Sequence, residues 1–432
     1  MGPTRAGRSF DRRQLLQGAA GAASVLSVGS GGRAHAADRT VSVGFLAPLT
    51  GPVAAWGKPG LDGCRLWADR LNAKGGFKVG DDYYAIEIVA HDDEYKPDVA
   101  AEGAKKLIAA GVKLVMMLGG DPWAGVKAIA AETGMLVSTL LPSDLSPDSR
   151  TLIAPCEVHP VYNVTGVAWL AENEPASKRV ALCAQNDSLG KPSVATYLAA
   201  FEAAGMALVT EPAFFPATTT EFGPIVERLL TGKPDILCLD TCYTEFVLPL
   251  CVQAHERGFT GRVLSCTADY YDKIAAATSR DFMEGFVFQF PDFDDPALND
   301  SRVNFEDPNG FYEQYVRRFG AGNWSAVSWE YASILDLWTS AATAAGSVEP
   351  DAVLTAMKAG GRGRHAFGDA LWWGRELFGI DNALVGNWPV VVIENSKAVI
   401  KEFGSIPDWW QAHGPLLAKH MKAQGQMWDQ RV

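Results

Sequence analysis

The residues able to do chemistry are scattered over the ends of short apolar runs rather than gathered in one motif. His91-Asp92-Asp93-Glu94 brings together several metal-ligand types. A single strand exit seldom converges three ligands on one ion, so no metal is expected there. Cys238 and Cys242 have three residues between them, which is neither zinc-ligand nor redox C-x-x-C spacing. His159 and His255 have no serine or cysteine in a nucleophile turn such as G-x-S-x-G. Gly119-Gly120 alone is no phosphate-cradling loop. An enzyme is not supported, and no cofactor is expected. The remaining candidates suit reversible binding. A zwitterion or polar solute taken from water needs hydrogen-bond donors at one end and an anion at the other.

Those candidates follow strands in an alternating pattern. Val41–Leu46 reads as a buried strand, followed by the turn Thr50-Gly51-Pro52 with Trp56 at its tip and a helix over Gly60–Asn72 that ends at Gly75-Gly76. Strands are then predicted at Tyr84–Ala90, Lys113–Leu118 and Met135–Thr139, with helices at Asp98–Ala110 and from the Asp121-Pro122-Trp123 turn to Thr133. The rhythm repeats with strands at Arg179–Ala184, Leu208–Phe215, Ile236–Leu239 and Arg262–Ser265. Helices are expected at Ser193–Ala204, Phe222–Leu230, Thr244–Arg257, Trp329–Ala345 and Pro350–Lys358, then a closing hairpin over Pro389–Ile400. This order predicts parallel sheets with helices on both faces, whose strand ends open on a ligand crevice. The tail 404–432, carrying Trp409, Trp410, Leu416, Leu417, Met421 and Trp428, is an amphipathic addition.

Composition narrows the class. The 432 residues, 48% hydrophobic and 20% charged, are enough for two lobes. The start is basic and reads as a leader: Asp11-Arg12-Arg13-Gln14-Leu15-Leu16 is a twin-arginine pattern, followed by an Ala/Gly-rich apolar stretch and Ala34-His35-Ala36 as a cleavage site. Removing residues 1–36 takes away five arginines and Asp11, so 38 basic and 50 acidic residues become 33 and 49, a formal charge of −16. Such a surface repels phosphate backbones, and no nucleic-acid partner is expected. No later run of about 18 apolar residues predicts a membrane span, and the mean hydropathy is zero. The seven cysteines are an odd number, and four of them (Cys183, Cys238, Cys251, Cys266) lie in apolar patterns as small hydrophobes.

Several of these motifs resemble the branched-chain amino-acid-binding proteins of ABC importers. The matching residues are P-x-T-G-P-x-A-x-x-G over Pro48–Gly57 and N-x-x-G-G over Asn72–Gly76. Pro234-Asp235 before Cys242 and Q-A-x-x-x-G over Gln253–Gly258 match as well. The resemblance runs from about Thr40 to Ile400. It implies an α/β, two-lobe type I periplasmic-binding-protein fold with three hinge crossings, near Pro155–His159, Gln289–Pro291 and Phe367–Gly368. The lobes would be 37–157 plus 291–367 and 158–290 plus 368–403, with 404–432 as an extension. The implied function is periplasmic capture of a small amino-acid-like, amide or aromatic solute by hinge closure. Delivery would be to an inner-membrane ABC permease and its ATPase, without membrane insertion. A sensor of the same fold, signalling to a receptor, is the alternative.

The resemblance also assigns site residues. First-lobe loops would offer Trp56, Gly120, Trp123, Thr139 and Ser143, with Asp121 equally suited to capping a helix. Second-lobe loops would offer Leu189, Tyr243 and Asp269, with Asp269 as ammonium or hydroxyl partner and Asp187 either a cap or a contact. Tyr331 fits the cleft or the core. The pattern departs from the family where hydroxyl-rich loops become Gly120-Asp121-Pro122-Trp123 and Leu140-Leu141-Pro142, and where Leu189 replaces an aromatic. Leucine, isoleucine and valine are therefore expected to bind weakly. Glu94-Tyr95 and Gly119 stand where relatives carry the cysteines of an early disulfide, so that bridge is not expected.

Overall fold

The computed structural model describes residues 37–431 except 52, 157, 217, 241–243, 269 and 270. The leader, Tyr243 and Asp269 lie outside the described residues. Two sheets organise the rest. The first has six strands in the order Phe77–Val79, Asp82–Asp92, Arg39–Ala47, Val115–Met117, Val137–Ser138 and Leu152–Ile153. All its pairs are parallel except the Phe77–Val79 hairpin. Its central strand, RTVSVGFLA, is buried almost without interruption from Val41 onward, because helices cover both faces of a parallel sheet. The helix Lys58–Ala73 packs closely on the helix Val327–Ala345. A Cβ on Gly63 would come within 1.8 Å of the Ser328 carbonyl oxygen, and one on Gly60 within 2.3 Å of the Tyr331 ring.

The second sheet has a parallel centre, Arg179–Gln185, Ile236–Asp240, Arg262–Leu264 and Val287–Phe288. It continues through the antiparallel strand Ala383–Glu394 into the strands Gly368–Trp373 and Arg362–His365. The predicted closing hairpin is present, joining Ala383–Glu394 to Lys397–Ser405 through Asn395-Ser396, both at positive φ. The predicted strand Leu208–Phe215 is instead two short ones, Ala207–Leu208 and Ala213–Phe215, pairing with different parts of Arg179–Gln185. Pro212 lies between them and has no N–H for the ladder. Helices Asn163–Asn173 and Pro308–Phe319 were not anticipated. The tail forms the helix Ile406–Ala423, capped by Ser405 accepting the Asp408 N–H.

The segments between the sheets meet in one aromatic cluster. Tyr162 follows the first sheet's last strand, Phe290 follows Val287–Phe288, and Trp388 lies in Ala383–Glu394. The Tyr162 and Trp388 rings are stacked at 5.2 Å, and Phe290 stands edge-on to both at 5.2 and 5.7 Å. Trp329 and Phe367 extend the cluster from Trp388. Phe367-Gly368, where a crossing was expected, falls at the turn between Arg362–His365 and Gly368–Trp373, and the long strand Ala383–Glu394 reaches the second sheet. It also touches the first, through the bridge between Ala154 and Ala383. Trp388 is 1% exposed. Replacing it with alanine removes the ring that the other two rest on. The expected cost is about 3–5 kcal/mol of stability, read as a lower urea midpoint for Trp388→Ala; a midpoint within error of the parent would contradict this packing role.

Candidate functional site

Between the sheets lies a narrow cavity lined by Trp56, Tyr95, Leu118, Leu140 and Leu141 from the first, and by Leu189, Cys266 and Phe290 from the second. His159 and Tyr162, from the segment joining them, complete it. The lining is aromatic and aliphatic apart from the phenols, the thiol and one imidazole. The space is about 20 Å³, enough for about one water molecule. Sites that hold drug-sized ligands measure roughly 300–1,000 Å³. A solute therefore enters only if the walls move apart.

On the first-lobe side, the positions of the loops follow from one carboxylate. Asp144, after the short helical turn at Pro142, accepts the Gly120 N–H at 3.0–3.2 Å and the Thr139 hydroxyl at 2.8 Å. The Thr139 oxygen in turn accepts the Leu141 N–H at 3.0 Å, which sets the direction of Leu140 and Leu141 into the cavity. Gly119 and Gly120 are both at positive φ. A Cβ on Gly119 would strike the Thr139 hydroxyl at 2.1 Å, and one on Gly120 the Tyr95 hydroxyl at 2.5 Å. Tyr95 reaches this point from a loop in which Glu94 and Tyr95 both hold left-handed φ. The Tyr95 N–H is held by the Asp93 carboxylate at 2.8 Å. Burial and the charges of Asp121, Asp144 and Asp187 push the Tyr95 phenol's pKa upward. The Gly120 amide at the start of helix Asp121–Thr133 is already engaged by Asp144.

The same accounting applies to His91–Glu94. Asp92 accepts from the Leu49 N–H at 2.8 Å and the Thr50 hydroxyl at 2.6 Å, tying the Trp56 loop to this one. Among the described residues no group of three His, Cys, Asp or Glu is placed to hold a metal ion. All six described cysteines are buried.

On the second-lobe side, His159 Nε2 lies 3.0 Å from the Ser193 hydroxyl, which also faces Asp240 at the end of Ile236–Asp240. The order is Asp–Ser–His, with serine in the middle, so it is not the arrangement in which a histidine activates a serine. Burial pushes the His159 pKa down to about 3, so the ring is neutral at physiological pH. Burial raises Asp240 to about 7, and neither of its carboxylate oxygens has a hydrogen-bond partner within bonding geometry among the described residues. Desolvation raises Asp144 to about 7 as well, outweighing its bonds to Gly120 and Thr139.

Of the expected site residues, Trp56 and Leu189 line this cavity. Gly120 and Ser143 line a separate groove beside it, with Asp187, Lys191 and the C-terminal tail. Thr139 is buried and spent on the Asp144 network. Trp123 is 6% exposed within the core of the first sheet, and Tyr331 packs edge-on to Phe45 at 4.8 Å. Asp187 caps its own loop, accepting the Leu189 and Gly190 N–H groups at 2.9 Å. Tyr95, Tyr162 and Phe290 were missed. Their signal in the sequence was only an aromatic residue just beyond a strand or at a crossing, which many core residues share.

Comparison with known proteins places this geometry. The profile of the periplasmic binding protein family matches residues 40–398. A Leu/Ile/Val-binding protein from Rhizobium johnstonii is 27% identical over 210 residues, 46% of this chain and 54% of that protein. The chain thus aligns with about half the length of that relative. A solute-binding protein of an ABC transporter from Rhodopseudomonas palustris, solved with p-hydroxybenzoic acid, superposes with TM-score 0.67 at 20% identity, covering 86% of this chain and 99% of that one. A fatty acid ABC transporter substrate-binding protein from Thermomonospora curvata gives 0.68 at 17% identity, with 90% and 96% covered. The chain belongs to the periplasmic binding protein family and has the two-lobed type I fold of its branched-chain amino-acid-binding members.

Proposed function

We propose that this protein is the solute-binding component of an ABC importer, exported to the periplasm, and that its solute is an aromatic or amide-bearing molecule rather than a branched-chain amino acid. The observation that carries the choice of solute is the lining of the cleft: Trp56, Tyr95, Tyr162, Phe290 and four leucines around one neutral imidazole. Flat apolar surface buried against such walls is worth roughly 25 cal/mol per Å². A free α-carboxylate fares worse. The Gly120 amide already serves Asp144, and the charges nearest the Tyr95 phenol are carboxylates. An unpaired buried charge costs several kcal/mol. The relatives solved with p-hydroxybenzoic acid and named for fatty acid transport bear on the apolar part of this preference alone, since both solutes also carry a carboxyl group. Asp269 is retained as the partner for an ammonium or hydroxyl group, and Tyr243 as a further contact from the second lobe.

The cavity's small volume makes capture a two-step event: the lobes part, the solute enters, and rotation about the Tyr162–Phe290–Trp388 cluster closes them again. Calorimetry with 4-hydroxybenzamide, 4-hydroxybenzoate and leucine tests the assignment. 4-Hydroxybenzamide is expected to bind at least tenfold more tightly than leucine and than 4-hydroxybenzoate, whose carboxylate the cleft disfavours, and Trp56→Ala to weaken it by a further tenfold or more. Micromolar leucine binding with both aromatics silent would overturn it. The export step has its own test: replacing Arg12 and Arg13 with lysine should leave precursor in the cytoplasm, and normal periplasmic accumulation would exclude the twin-arginine route.

A further inference from the structure

The family match stops at residue 398, and the chain then continues through the helix Ile406–Ala423 to Arg431. We propose that this C-terminal segment is a latch, a noncovalent tie between the lobes beside the cleft that holds them together and releases for solute to pass. The proposal rests on capture between the lobes as set out above.

The latch has a root on the second lobe. The helix Ile406–Ala423 packs along Gly190–Ala203, the helix that carries Ser193. Lys419 Nζ reaches the Glu202 carboxylate at 2.7–2.8 Å and His420 Nε2 reaches it at 2.6 Å. Leu417 and Met421 are buried beneath. At the other end of this segment, Ser405 and Gly404 still pair with Asn387 and Trp388, so the helix springs directly from the aromatic hinge strand.

Its tip is on the first lobe. The Arg431 guanidinium donates to the Ser143 carbonyl, in the same turn as Asp144, and lies 5.5 Å over the Phe378 ring. It also donates to the Leu377 carbonyl at 3.4 Å, as the Trp428 backbone N–H does at 3.0 Å, while the Trp428 ring lies so close against Gly379 that a Cβ there would come within 2.9 Å of it. Leu377 and Phe378 belong to a segment anchored on the first sheet's edge, where Asn382 donates to the Arg150 and Leu152 carbonyls at 3.1 and 2.7 Å. The Arg431 charge acts on Asp144, the residue that orders the Gly120 and Leu141 loops. The tip therefore grips the loops that form the first-lobe wall of the cavity.

Between root and tip there is little slack. Gln424, Gly425 and Gln426 turn back on the helix through N–H bonds to the carbonyls of His420, Lys422 and Met421, and the Gln430 amide returns to Lys422. Gly425, Gln426 and Gln430 form one wall of the groove whose other walls are Asp121 and Ser143 of the first lobe and Asp187 and Lys191 of the second. A rotation that separates those loops pulls Ser143 away from a segment fixed at Glu202. Opening thus breaks the Arg431 contact, and a hydrogen bond from a charged donor is the stronger kind.

The test needs a readout that does not depend on any solute. Small-angle scattering and amide exchange on the solute-free full-length protein are compared for the parent, Arg431→Ala and Arg431→Lys. The alanine variant should show a larger radius of gyration and faster exchange at Leu141 and Gly120, with lysine intermediate because it keeps the charge but not the planar donor pair. Solute dissociation, followed by stopped flow, should quicken about tenfold in the alanine variant. A chain ending at Ser405 should open further; because that deletion strips the face of Gly190–Ala203, Trp428→Ala serves as the variant that leaves the helix in place. Radii and exchange unchanged in both Arg431→Ala and Trp428→Ala would overturn the latch, whichever solute the cleft takes. Open variants of a protein that binds none of the aromatic probes would uphold the latch and reject the solute assignment alone.

Discussion

In the proposed capture, what moves and what binds are both referred to the contact between Tyr162, Phe290 and Trp388. One ring comes from each segment joining the two sheets, and their stacking lets three polypeptide crossings behave as one hinge. Two of the three, Tyr162 and Phe290, also line the cavity. The floor on which a solute would rest is the same packing that sets the angle between the lobes. Aromatic pairs gain about 0.5–1.5 kcal/mol beyond their buried area and prefer offset or edge-on geometry. They can therefore fix an orientation where aliphatic packing would only fill space. Trp388 also lies in the strand that pairs with Lys397–Ser405 and hence leads into the C-terminal helix. Hinge, cleft and latch share one strand.

A second constraint shapes the cleft. The loops after the first-lobe strands expose backbone donors, and here those donors are used internally. Asp144 takes the Gly120 N–H and the Thr139 hydroxyl. The energetic consequence follows from its raised pKa. Between the ordinary carboxylate range, where the unfolded chain ionises, and about pH 7, the folded protein keeps a proton on Asp144 that the unfolded chain has lost. Its contribution is thus fully present at low pH and is lost as pH rises through 7. Asp240 acts in the same direction. The neutral, buried His159 and His365, with pKa values lowered to about 3 and 4, act in the opposite direction as pH falls below 6.5. Both carboxylates lie behind the cavity wall rather than in it, and the only imidazole in its lining is the neutral His159.

How much of this was legible beforehand depended on whether local pattern or long-range packing decided each feature. Val41–Leu46 and its partners were readable because parallel strands buried on both faces leave continuous apolar runs. The helix starting at Asp121-Pro122 was readable from its proline, but the cap was not: Gly120 and not Asp121 is its N-cap, and no side chain caps it. Trp56 and Leu189 were found through motif position, since the loop that carries each is fixed by the strand before it. Tyr95 was not, although its place was implied. Its side chain spans to Gly120. That contact bridges two loops, and no local pattern announces a phenol in that role. Thr139 and Trp123 show the converse. Their types suit a binding site, but the nearest unsatisfied groups and the sheet twist assign them to the network and the core. The segment 404–432 was recognisable as amphipathic, yet which lobe would receive each end depends on contacts nearly 300 residues apart in sequence, such as that of Arg431 with Ser143.

The central claim is that the two lobes rotate about the aromatic cluster to enclose an apolar solute. It is tested most directly by measuring the distance between them. Spin labels at Glu132 and Glu227, both exposed and one on each lobe, report it by double electron–electron resonance. The account predicts a broad distribution with a long-distance component in the solute-free protein, collapsing onto a single shorter distance when an aromatic solute saturates the cleft. A distribution unchanged at a solute concentration that calorimetry shows to be saturating would contradict it.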